Sequence, residues 1–216
     1  MKVVCIGTGS SGNCYAIQRN NGRTLLIECG LPLKKIFAGL KQSGMHPDQI
    51  DAVLVSHCHK DHSLTRSAFQ EFTETFNEWE TGRPVNVAPD VVVKPFWIEH
   101  DVENYGFVIE ADGKRILYAT DFSYIPLEYT FTKKLDLVLV ECNWNERGIK
   151  NSTRPDVQKG RARKNHSSDV NTWEFLNRLQ YDRALLIHMS SENLDRDHIK
   201  AMCAASFIET GHIYVL

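Results

Sequence analysis

Residues 51–63 read DAVLVSHCHKDHS. A short apolar run at 52–55 ends directly in a segment that holds three histidines, an aspartate and a cysteine. Such a run predicts a buried strand, and the apolar residues that follow at helical spacing from 64 to 76 predict a helix. The histidine-rich segment is therefore predicted to be a loop between a strand and a helix.

The spacing of the polar residues in this loop predicts a metal site. His57 and His59 are two positions apart, so at the mouth of a strand they point to the same side, and a tight turn brings Asp61 and His62 to the same place. Cys58 is predicted to point the opposite way, into the core. Imidazole nitrogen and carboxylate oxygen suit zinc, manganese and iron, and gathering them without a cation costs desolvation energy. The alternative is a solvated polar loop.

Further polar residues stand where later apolar runs stop. His100 follows "PFWIE", Asp121 ends "ILYATD", and His188 ends "ALLIH". Taken singly, each is explained by a cap or a turn. Taken together with the histidine-rich loop, they are the residues that a site for two metal ions requires.

Strand and helix patterns alternate along the chain, without internal repeats or a low-complexity linker, so one α/β domain is expected over residues 1–216. Strands predicted in the first part are separated by a hairpin at Asn20–Gly22. A helix is expected from Pro32 to Gly44, another after a cap at Ser167 or Ser168, and a third over 195–209. The polar and basic segment 150–165 is predicted to be a loop.

Several motifs together resemble one known superfamily. "SHCHKDH", "IEHD", "YATDF" and "LIHMSSEN" are similar to the metal-binding motifs of the metallo-β-lactamase superfamily. "GTGSSGNCY", "HDVENYGF", and "ECN" with "NHSS" resemble its phosphodiesterase branch, which contains tRNase Z, YycJ-like exonucleases and phage anti-Pycsar cyclic-nucleotide hydrolases. The resemblance covers nearly the whole chain. It implies an αββα sandwich of two mixed sheets flanked by helices.

The resemblance also implies a ligand set for two divalent metal ions, Zn²⁺ or Mn²⁺. One ion is expected on His57, His59 and His100, the other on Asp61, His62 and His188, with Asp121 bridging the two. Because single histidines and aspartates are common in loops, this assignment rests on the family pattern and not on spacing alone.

A catalytic set follows from the same resemblance: His166, Asp61, Asp121 and Glu141. A hydroxide held between the cations is expected to attack phosphorus, and His166 is expected to protonate the leaving oxygen. Glu141 is expected to orient His166. The alternative for His166 is a polar residue ahead of a helix cap.

Two positions depart from the family pattern. Glu28 stands where the superfamily commonly has an aspartate, which lengthens the expected contact by one methylene, and Trp144 stands where YycJ proteins usually carry a histidine. The chain also has no obvious inserted arm for gripping tRNA. The tryptophan puts any YycJ-specific role of that position in doubt.

The expected substrate is a small phosphodiester such as a cyclic nucleotide, as for anti-Pycsar proteins in defence evasion, because the chain has 216 residues and a formal net charge of −2. Ser10, Ser11 and Asn13 are expected to line the cleft, or else to form a plain glycine-rich turn. Arg161 and Arg163 in the basic segment are expected to contact substrate, with a solvated charge run as the alternative. That basic segment keeps a nucleic-acid substrate, as in a YycJ-like DNA exonuclease, open.

Other functions remain as alternatives. A non-catalytic nucleotide-binding protein would not need the complete ligand set, and "NHSS" disfavours a thioester or lactone hydrolase. The Gly-x-Gly-x-x-Gly pattern at Gly7–Gly12 does not predict a dinucleotide site, because the next segment reads as a strand and not as a helix. No signal-peptide or membrane-span pattern occurs, so a cytoplasmic protein without membrane association is expected. The family resemblance implies a homodimer.

Overall fold

The structure is a computed structural model, and it describes residues 1–126, 131–202, 206–207 and 210–216. Its strands are β1 (Lys2–Gly7), β2 (Cys14–Gln18), β3 (Thr24–Ile27), β4 (Ile50–Leu54), β5 (Glu74–Phe76), β6 (Val85–Ala88), β7 (Val91–Trp97), β8 (Tyr105–Ala111), β9 (Lys114–Ala119), β10 (Leu135–Glu141), β11 (Tyr181–Ile187), β12 (Ser206–Phe207) and β13 (Ile213–Val215). Its helices are α1 (Leu33–Gln42), α2 (Lys60–Ser63), α3 (Arg66–Gln70), α4 (Glu146–Asn151), α5 (Asp156–Asn165), α6 (Asp169–Leu176) and α7 (Arg196–Met202).

The strands form two mixed sheets. One sheet has the order β13-β1-β2-β3-β4-β5 and the other β12-β11-β10-β9-β8-β7-β6. The opening strands β1, β2 and β3 pair antiparallel, and Gly22 in the predicted hairpin has a φ of 82°, which only glycine adopts at little cost. β3–β4–β5 and β9–β10–β11–β12 are parallel. This arrangement confirms the predicted α/β fold of two mixed sheets.

Three clusters of buried apolar residues hold the sheets and helices of the sandwich together. The first lies between the sheets and takes residues such as Tyr15 from one sheet and Phe107 from the other. The second packs α6 and α7 on the outer face of the seven-stranded sheet, and the third packs α1 and α3 on the outer face of the six-stranded sheet. Burial of apolar surface on both faces of each sheet fixes the sandwich.

Four local predictions need correction. The helix expected through residue 76 ends at Gln70, because Glu74–Phe76 instead pairs with β4 as the parallel edge strand β5. The predicted loop 150–165 is largely helical, and its second part is α5. The helix expected over 195–209 is described as α7 over Arg196–Met202, while Ser206–Phe207 is strand and residues 203–205 and 208–209 lie outside the described residues.

The fourth correction concerns Cys58, which is exposed and not in the core. The prediction assumed that strand geometry continues through the histidines. β4 ends at Leu54, however, and the histidines follow in an irregular loop, so strand alternation no longer decides where residue 58 points.

Two other predictions hold. Ser168 caps α6, because its hydroxyl accepts a hydrogen bond from the backbone N–H of Asn171 at 3.1 Å. The glycine pattern after β1 leads into β2 and not into a helix, so it has no helix N-terminus for a dinucleotide. Across the described ranges, every helix is too short or too polar to cross a bilayer.

Candidate metal centre

The predicted site residues gather at the carboxyl ends of strands. The loop after β4 carries His57, His59, Asp61 and His62; Asp121 follows β9, and His188 follows β11 directly. Because β3–β4 and β9–β10–β11 are parallel, the loops after these strands open at one edge of the sandwich.

Three residues at these strand ends adopt a strained backbone. Glu28, Asp121 and His188 have φ values of 64°, 53° and 49°, in the left-handed region that side chains other than glycine rarely occupy. Each such residue costs on the order of 1–3 kcal/mol, and strain of this kind concentrates at functional sites. The positive φ aims these side chains inward at the point where the strand ends.

The structure brings all seven predicted metal ligands together in two groups. The ligand atoms of His57, His59, His100 and Asp121 lie within 4.8 Å of one another, and so do those of Asp61, His62, Asp121 and His188. Asp121 belongs to both groups. Its Oδ2 is 3.4 Å from His57 Nε2 and 3.0 Å from His62 Nε2, and its Oδ1 is 3.0 Å from His188 Nδ1.

These residues fit divalent metal ions. His57 Nδ1 contacts Ser56 Oγ at 2.9 Å, whereas His57 Nε2 faces Asp121, is buried and has no hydrogen-bond partner among the described residues. A buried nitrogen without a partner is costly, and a cation is the partner that a neutral imidazole nitrogen accepts. The donors are imidazole nitrogens and carboxylate oxygens, the set that first-row divalent ions prefer.

The protonation of each residue in these two groups depends on the charges of its neighbours. Burial opposes the charge on Asp121, but His188 and His62 beside it hold the pKa of Asp121 well below its usual range. Burial likewise opposes the charge on His62, yet Asp121 and Glu28 raise the pKa of His62 well above its ordinary value. Burial and the neighbouring His62 lower the pKa of His57. In the metal-free protein, imidazolium protons therefore balance the carboxylates, and a bound cation would displace them.

His166 and Glu141 form a close pair at the edge of the second group. His166 Nδ1 lies 2.8 Å from Glu141 Oε1, while Glu141 Oε2 accepts hydrogen bonds from the backbone N–H groups of Phe122 and Ser167. Burial lowers the pKa of His166, but the Glu141 and Asp121 carboxylates together outweigh burial and raise that pKa well above its ordinary value. With Nδ1 engaged by Glu141, Nε2 is the nitrogen of His166 that remains for a substrate.

The two departures from the family pattern have visible roles. Both carboxylate oxygens of buried Glu28 lie 3.3 Å from the backbone N–H of Ser56, and Oε1 is 3.5 Å from His62 Nδ1. Trp144 donates its indole N–H to the backbone carbonyl of His166 at 2.9 Å. Glu28 thus contacts a predicted ligand histidine and the start of its loop, and Trp144 holds the backbone of His166.

A cleft of about 330 Å³ opens onto both groups. One wall is a face of α5 whose residues recur at helical spacing, namely Gln158, Arg161, Ala162 and Asn165. His166, at the C-terminal end of α5, lines the same cleft. Helix α5, which was predicted to be a loop, therefore forms one wall of the cleft over the site.

The five predicted substrate residues separate into two sets. Ser10 and Arg161 line the cleft, whereas Ser11, Asn13 and Arg163 are not among the described residues that line it. Arg163 pairs with Glu146, with Nη2 2.9 Å from Oε2, and stacks over the Trp144 ring. Asn13 is buried beneath the second group, where its Nδ2 lies 3.1 Å from His62 Nε2.

Sequence reasoning assigned no role to two residues of the cleft, Asp101 and Asn143, whereas Arg154, in the basic segment predicted beside the site, does line the cleft. Asn143 donates from Nδ2 to the backbone carbonyl of His188 at 2.8 Å. Asp101 was detectable, since it directly follows His100 in a quoted motif. Asn143 also stands in a quoted motif, "ECN", but it was given no role of its own, because a single asparagine after a strand usually serves a turn.

Comparison with known proteins identifies the class. Residues 64–189 match the model of a family described as the Beta-lactamase superfamily domain, and residues 7–71 match that of the Metallo-beta-lactamase superfamily. The chain therefore belongs to the metallo-β-lactamase superfamily, as its motifs indicated.

Individual relatives indicate which branch of the superfamily the chain resembles. The chain is 37% identical over 107 residues to Anti-Pycsar protein Apyc1 of Paenibacillus harenae, covering 46% of this chain and 41% of that protein. It is 36% identical over 61 residues to Exodeoxyribonuclease WalJ of Streptococcus pneumoniae, covering 28% of this chain and 22% of that protein. The chain is thus aligned with less than half the length of each. These relatives confirm the resemblance to the anti-Pycsar and exonuclease branch.

A solved structure supports the fold. The metallo-beta-lactamase fold protein YhfI of Bacillus subtilis superposes with a TM-score of 0.73 at 19% identity, over 99% of both chains. At this identity the likeness concerns the architecture alone.

Proposed function

We propose that this chain is a metal-dependent phosphodiesterase that hydrolyses a small phosphodiester, most simply a cyclic nucleotide. One observation carries the proposal: Asp121 is shared by two groups of metal-ligand residues, and the His166–Glu141 pair lies beside it, with His166 Nδ1 3.6 Å from Asp121 Oδ1. A two-metal site with a proton donor at its edge is an arrangement suited to phosphodiester hydrolysis.

In this proposal His57, His59 and His100 would hold one divalent ion and Asp61, His62 and His188 the other, and Asp121 belongs to both groups of residues. When bound, two such cations, Zn²⁺ or Mn²⁺, polarise a phosphoryl oxygen and lower the pKa of water. The superfamily membership and the His/Asp cluster support divalent metal ions in general.

His166 acts as the general acid. Glu141 accepts a hydrogen bond from Nδ1–H of His166, which fixes the ring and stabilises its protonated form, so Nε2–H is presented to the cleft. Asp121 and Glu141 both lie within ion-pair distance of His166 Nδ1. The proton passes from Nε2 to the departing oxygen, and Glu141 keeps the ring in place while the charge on the imidazole changes.

Two observations support a small anionic substrate. The cleft volume of about 330 Å³ is near the lower end of the range for small-molecule sites, roughly 300–1,000 Å³. Arg161 projects from α5 into the cleft and forms no salt bridge among the described residues, so its charge is available to a phosphate. The relatives named Anti-Pycsar protein support a cyclic nucleotide as that substrate.

A nuclease is the second candidate, favoured by the match to Exodeoxyribonuclease WalJ and by exposed basic residues on α5 such as Lys164. A strand of DNA crossing the cleft would place its backbone along this helix. A nuclease would use the same metal groups and the same proton donor.

A substrate panel tests the proposal. Metal-loaded protein is incubated with 3′,5′-cyclic nucleotides, linear duplex DNA, single-stranded RNA, a thioester and a lactone, and products are separated by chromatography. Conversion of a cyclic nucleotide to a mononucleotide supports the proposal, and shortening of DNA supports the second candidate. Recovery of an unchanged, bound nucleotide would instead indicate a binding protein. The family resemblance also favours a homodimer, which light scattering tests.

A further inference from the structure

Asn143 presents a hydrogen-bond acceptor to the cleft. It lies in the loop after β10, lines the cleft and is only 7% exposed. Its Nδ2 donates to the backbone carbonyl of His188 at 2.8 Å, and because a carbonyl only accepts, this contact fixes which end of the amide is nitrogen. The other end, Oδ1, has no hydrogen-bond partner among the described residues and keeps accessible surface.

The backbone of Asn143 is held on both sides. Its N–H donates to the carbonyl of Ser167 at 2.9 Å, and its carbonyl accepts from the N–H of Ser190 at 3.1 Å. Asn143 is thus tied to the segment that follows His166 and to the turn that follows His188. Because the side chain is already ordered by its contact with His188, little conformational entropy is lost when Oδ1 binds a ligand.

The position of Asn143 decides which donor of a nucleotide can reach Oδ1. Nδ2 of the same amide lies 3.3 Å from His188 Nδ1, and the rings of His188 and His166 stack with their centroids 5.3 Å apart. Oδ1 therefore lies on the side of the cleft where the leaving oxygen would be protonated. In a 3′,5′-cyclic ribonucleotide the donor next to O3′ is the 2′-hydroxyl, whereas the N–H groups of the base are farther from phosphorus. The 2′-hydroxyl is also the group that distinguishes ribose from deoxyribose.

We propose that Asn143 Oδ1 accepts a hydrogen bond from the 2′-hydroxyl of the substrate and makes the site selective for ribonucleotides over deoxyribonucleotides; this inference rests on the proposed phosphodiesterase function. With a deoxyribose in the cleft, Oδ1 would be covered without a donor, and an unpartnered buried acceptor costs free energy. The same contact would make a nuclease prefer RNA to DNA.

The test compares adenosine 3′,5′-cyclic monophosphate with its 2′-deoxy analogue, and uridine 3′,5′-cyclic monophosphate serves as a probe with a different base. Values of kcat/KM are measured with metal-loaded protein, and Kd is measured by calorimetry with chelator-treated protein, in which no turnover occurs. The variants are Asn143→Ala and Asn165→Ala, each checked for folding by circular dichroism. Asn165→Ala is the matched control, because Asn165 is a second buried asparagine of the cleft, but its Nδ2 donates to Asp101 beside the first metal group.

Wild type should favour the ribonucleotide by about 10-fold in kcat/KM, which is the effect of one neutral hydrogen bond. Asn143→Ala should bring this ratio close to one by lowering kcat/KM on the ribonucleotides, and by a similar factor for adenine and uracil. Asn165→Ala should keep the wild-type ratio, whatever it does to the rates. A merely structural role of Asn143 would lower both sugars equally and leave the ratio unchanged.

Equal values of wild type on both sugars would overturn the inference while the phosphodiesterase function stands, and this comparison needs no variant. So would an unchanged ratio in Asn143→Ala, a lost ratio in Asn165→Ala, or a loss that follows the base and not the sugar. Absence of hydrolysis of every cyclic nucleotide would contradict the proposed function instead, and the ratio of Kd values for the two sugars would then decide the inference by itself.

Discussion

His166 is held by different partners on its ring and on its backbone. Glu141 contacts Nδ1 of the ring, and the indole N–H of Trp144 holds the backbone carbonyl. Glu141 is itself fixed, because the backbone N–H groups of Phe122 and Ser167 both donate to its Oε2. A side chain restrained in this way is suited to proton transfer, which depends on position before it depends on pKa.

The first prediction separates this role from metal binding. His166→Ala should retain both metal ions but lose about 10²- to 10⁴-fold in kcat on a natural phosphodiester, the usual effect of removing a positioned proton donor. A p-nitrophenyl phosphodiester has a leaving group that hardly needs a proton, so its hydrolysis should lose much less. Steady-state kinetics on both substrates, with elemental analysis of the variant, measure this.

Glu141→Gln provides the matched comparison, since it keeps the size of the side chain but removes its charge. It should reproduce part of the same leaving-group dependence. Equal losses of His166→Ala on both substrates, or a missing metal ion, would assign His166 to substrate positioning or to metal binding.

Asp121 is the residue on which both metal groups depend. Its two carboxylate oxygens face histidines of both groups. Asp121→Ala should therefore abolish turnover and bring metal content below two ions per chain, while the fold persists because the residue lies beyond the end of β9. Elemental analysis and far-UV circular dichroism check the two parts. Two ions bound with wild-type affinity would remove Asp121 from its bridging position.

The sequence predicted which side chains come together, but it did not predict the backbone conformation that brings them together. The predicted ligands could be named because four of them share one histidine-rich segment and the others match the motifs of one superfamily. The positive φ values of Asp121 and His188 were not, since a left-handed conformation outside glycine leaves no pattern in a sequence. Asn13 was assigned to the substrate, but it lies beneath His62.

Among the elements, α5 was the one least predictable from sequence. Periodicity identifies helices that pack on an apolar core, and α5 instead packs over a polar cleft through Gln158, Arg161 and Asn165. Its sequence shows a charge run with a glycine, which favours a loop. Pro155 ahead of its first turn was the available signal, because proline is tolerated where a helix begins.

The orientation of α5 gives a prediction with an internal control. Arg161 faces the cleft, whereas Arg163 pairs with Glu146 outside it. Arg161→Ala should raise KM for an anionic substrate by about 10-fold or more, because a hydrogen bond between charged partners contributes roughly 1.5–3 kcal/mol. Arg163→Ala should leave KM nearly unchanged, since exposed ion pairs contribute about 0–1 kcal/mol to stability. If Arg163→Ala raised KM more than Arg161→Ala did, the substrate would instead bind on the outer face of α5.

The loops that carry the ligands are joined by backbone contacts that exclude a side chain at Gly30. The backbone N–H of Gly30 donates to Asn13, that of Asn13 donates to Asp61, and a Cβ on Gly30 would lie 1.7 Å from the Asp61 carbonyl oxygen. Gly30→Ala should thus shift Asp61 and His62, weaken the second metal group, and lower stability by about 1–3 kcal/mol.

Urea unfolding of the metal-free variant measures the stability, and chelator competition measures the metal. Gly160→Ala is the matched control: it lies inside α5 with no atom within 4 Å of the added methyl group, so it should stabilise by about 0.5–1 kcal/mol. Wild-type metal affinity in Gly30→Ala would show that these loops tolerate displacement.

For the whole molecule, the sandwich was predictable because its strands are short apolar runs and because the motifs resemble one superfamily. Edge strand β5 was not, since Glu74–Phe76 has the polar pattern of an exposed edge and follows a helix without a turn signal. The layers leave a cluster of buried carboxylates at the edge of the sandwich, among them Asp121, Glu28 and Glu141. A cation bound beside these carboxylates is therefore expected to stabilise the fold, because it would couple metal binding to folding.

The last prediction follows from that coupling. A metal that binds the folded chain and not the unfolded one stabilises it by about 2.7 kcal/mol per site at a concentration 100-fold above Kd. For a domain of this size, each kcal/mol corresponds to a Tm shift of about 2–4 °C, so one occupied site should raise Tm by about 5–10 °C over chelator-treated protein. A histidine must lose its proton to bind metal, and neighbouring carboxylates raise the pKa of His62 well above its ordinary value and the pKa of His188 to about 9. The rise should therefore shrink as the pH falls below about 9. Differential scanning calorimetry across pH measures it, and Asp121→Asn should show little rise at any pH. An equal rise in that variant would place the stabilising ion somewhere other than the two groups around Asp121.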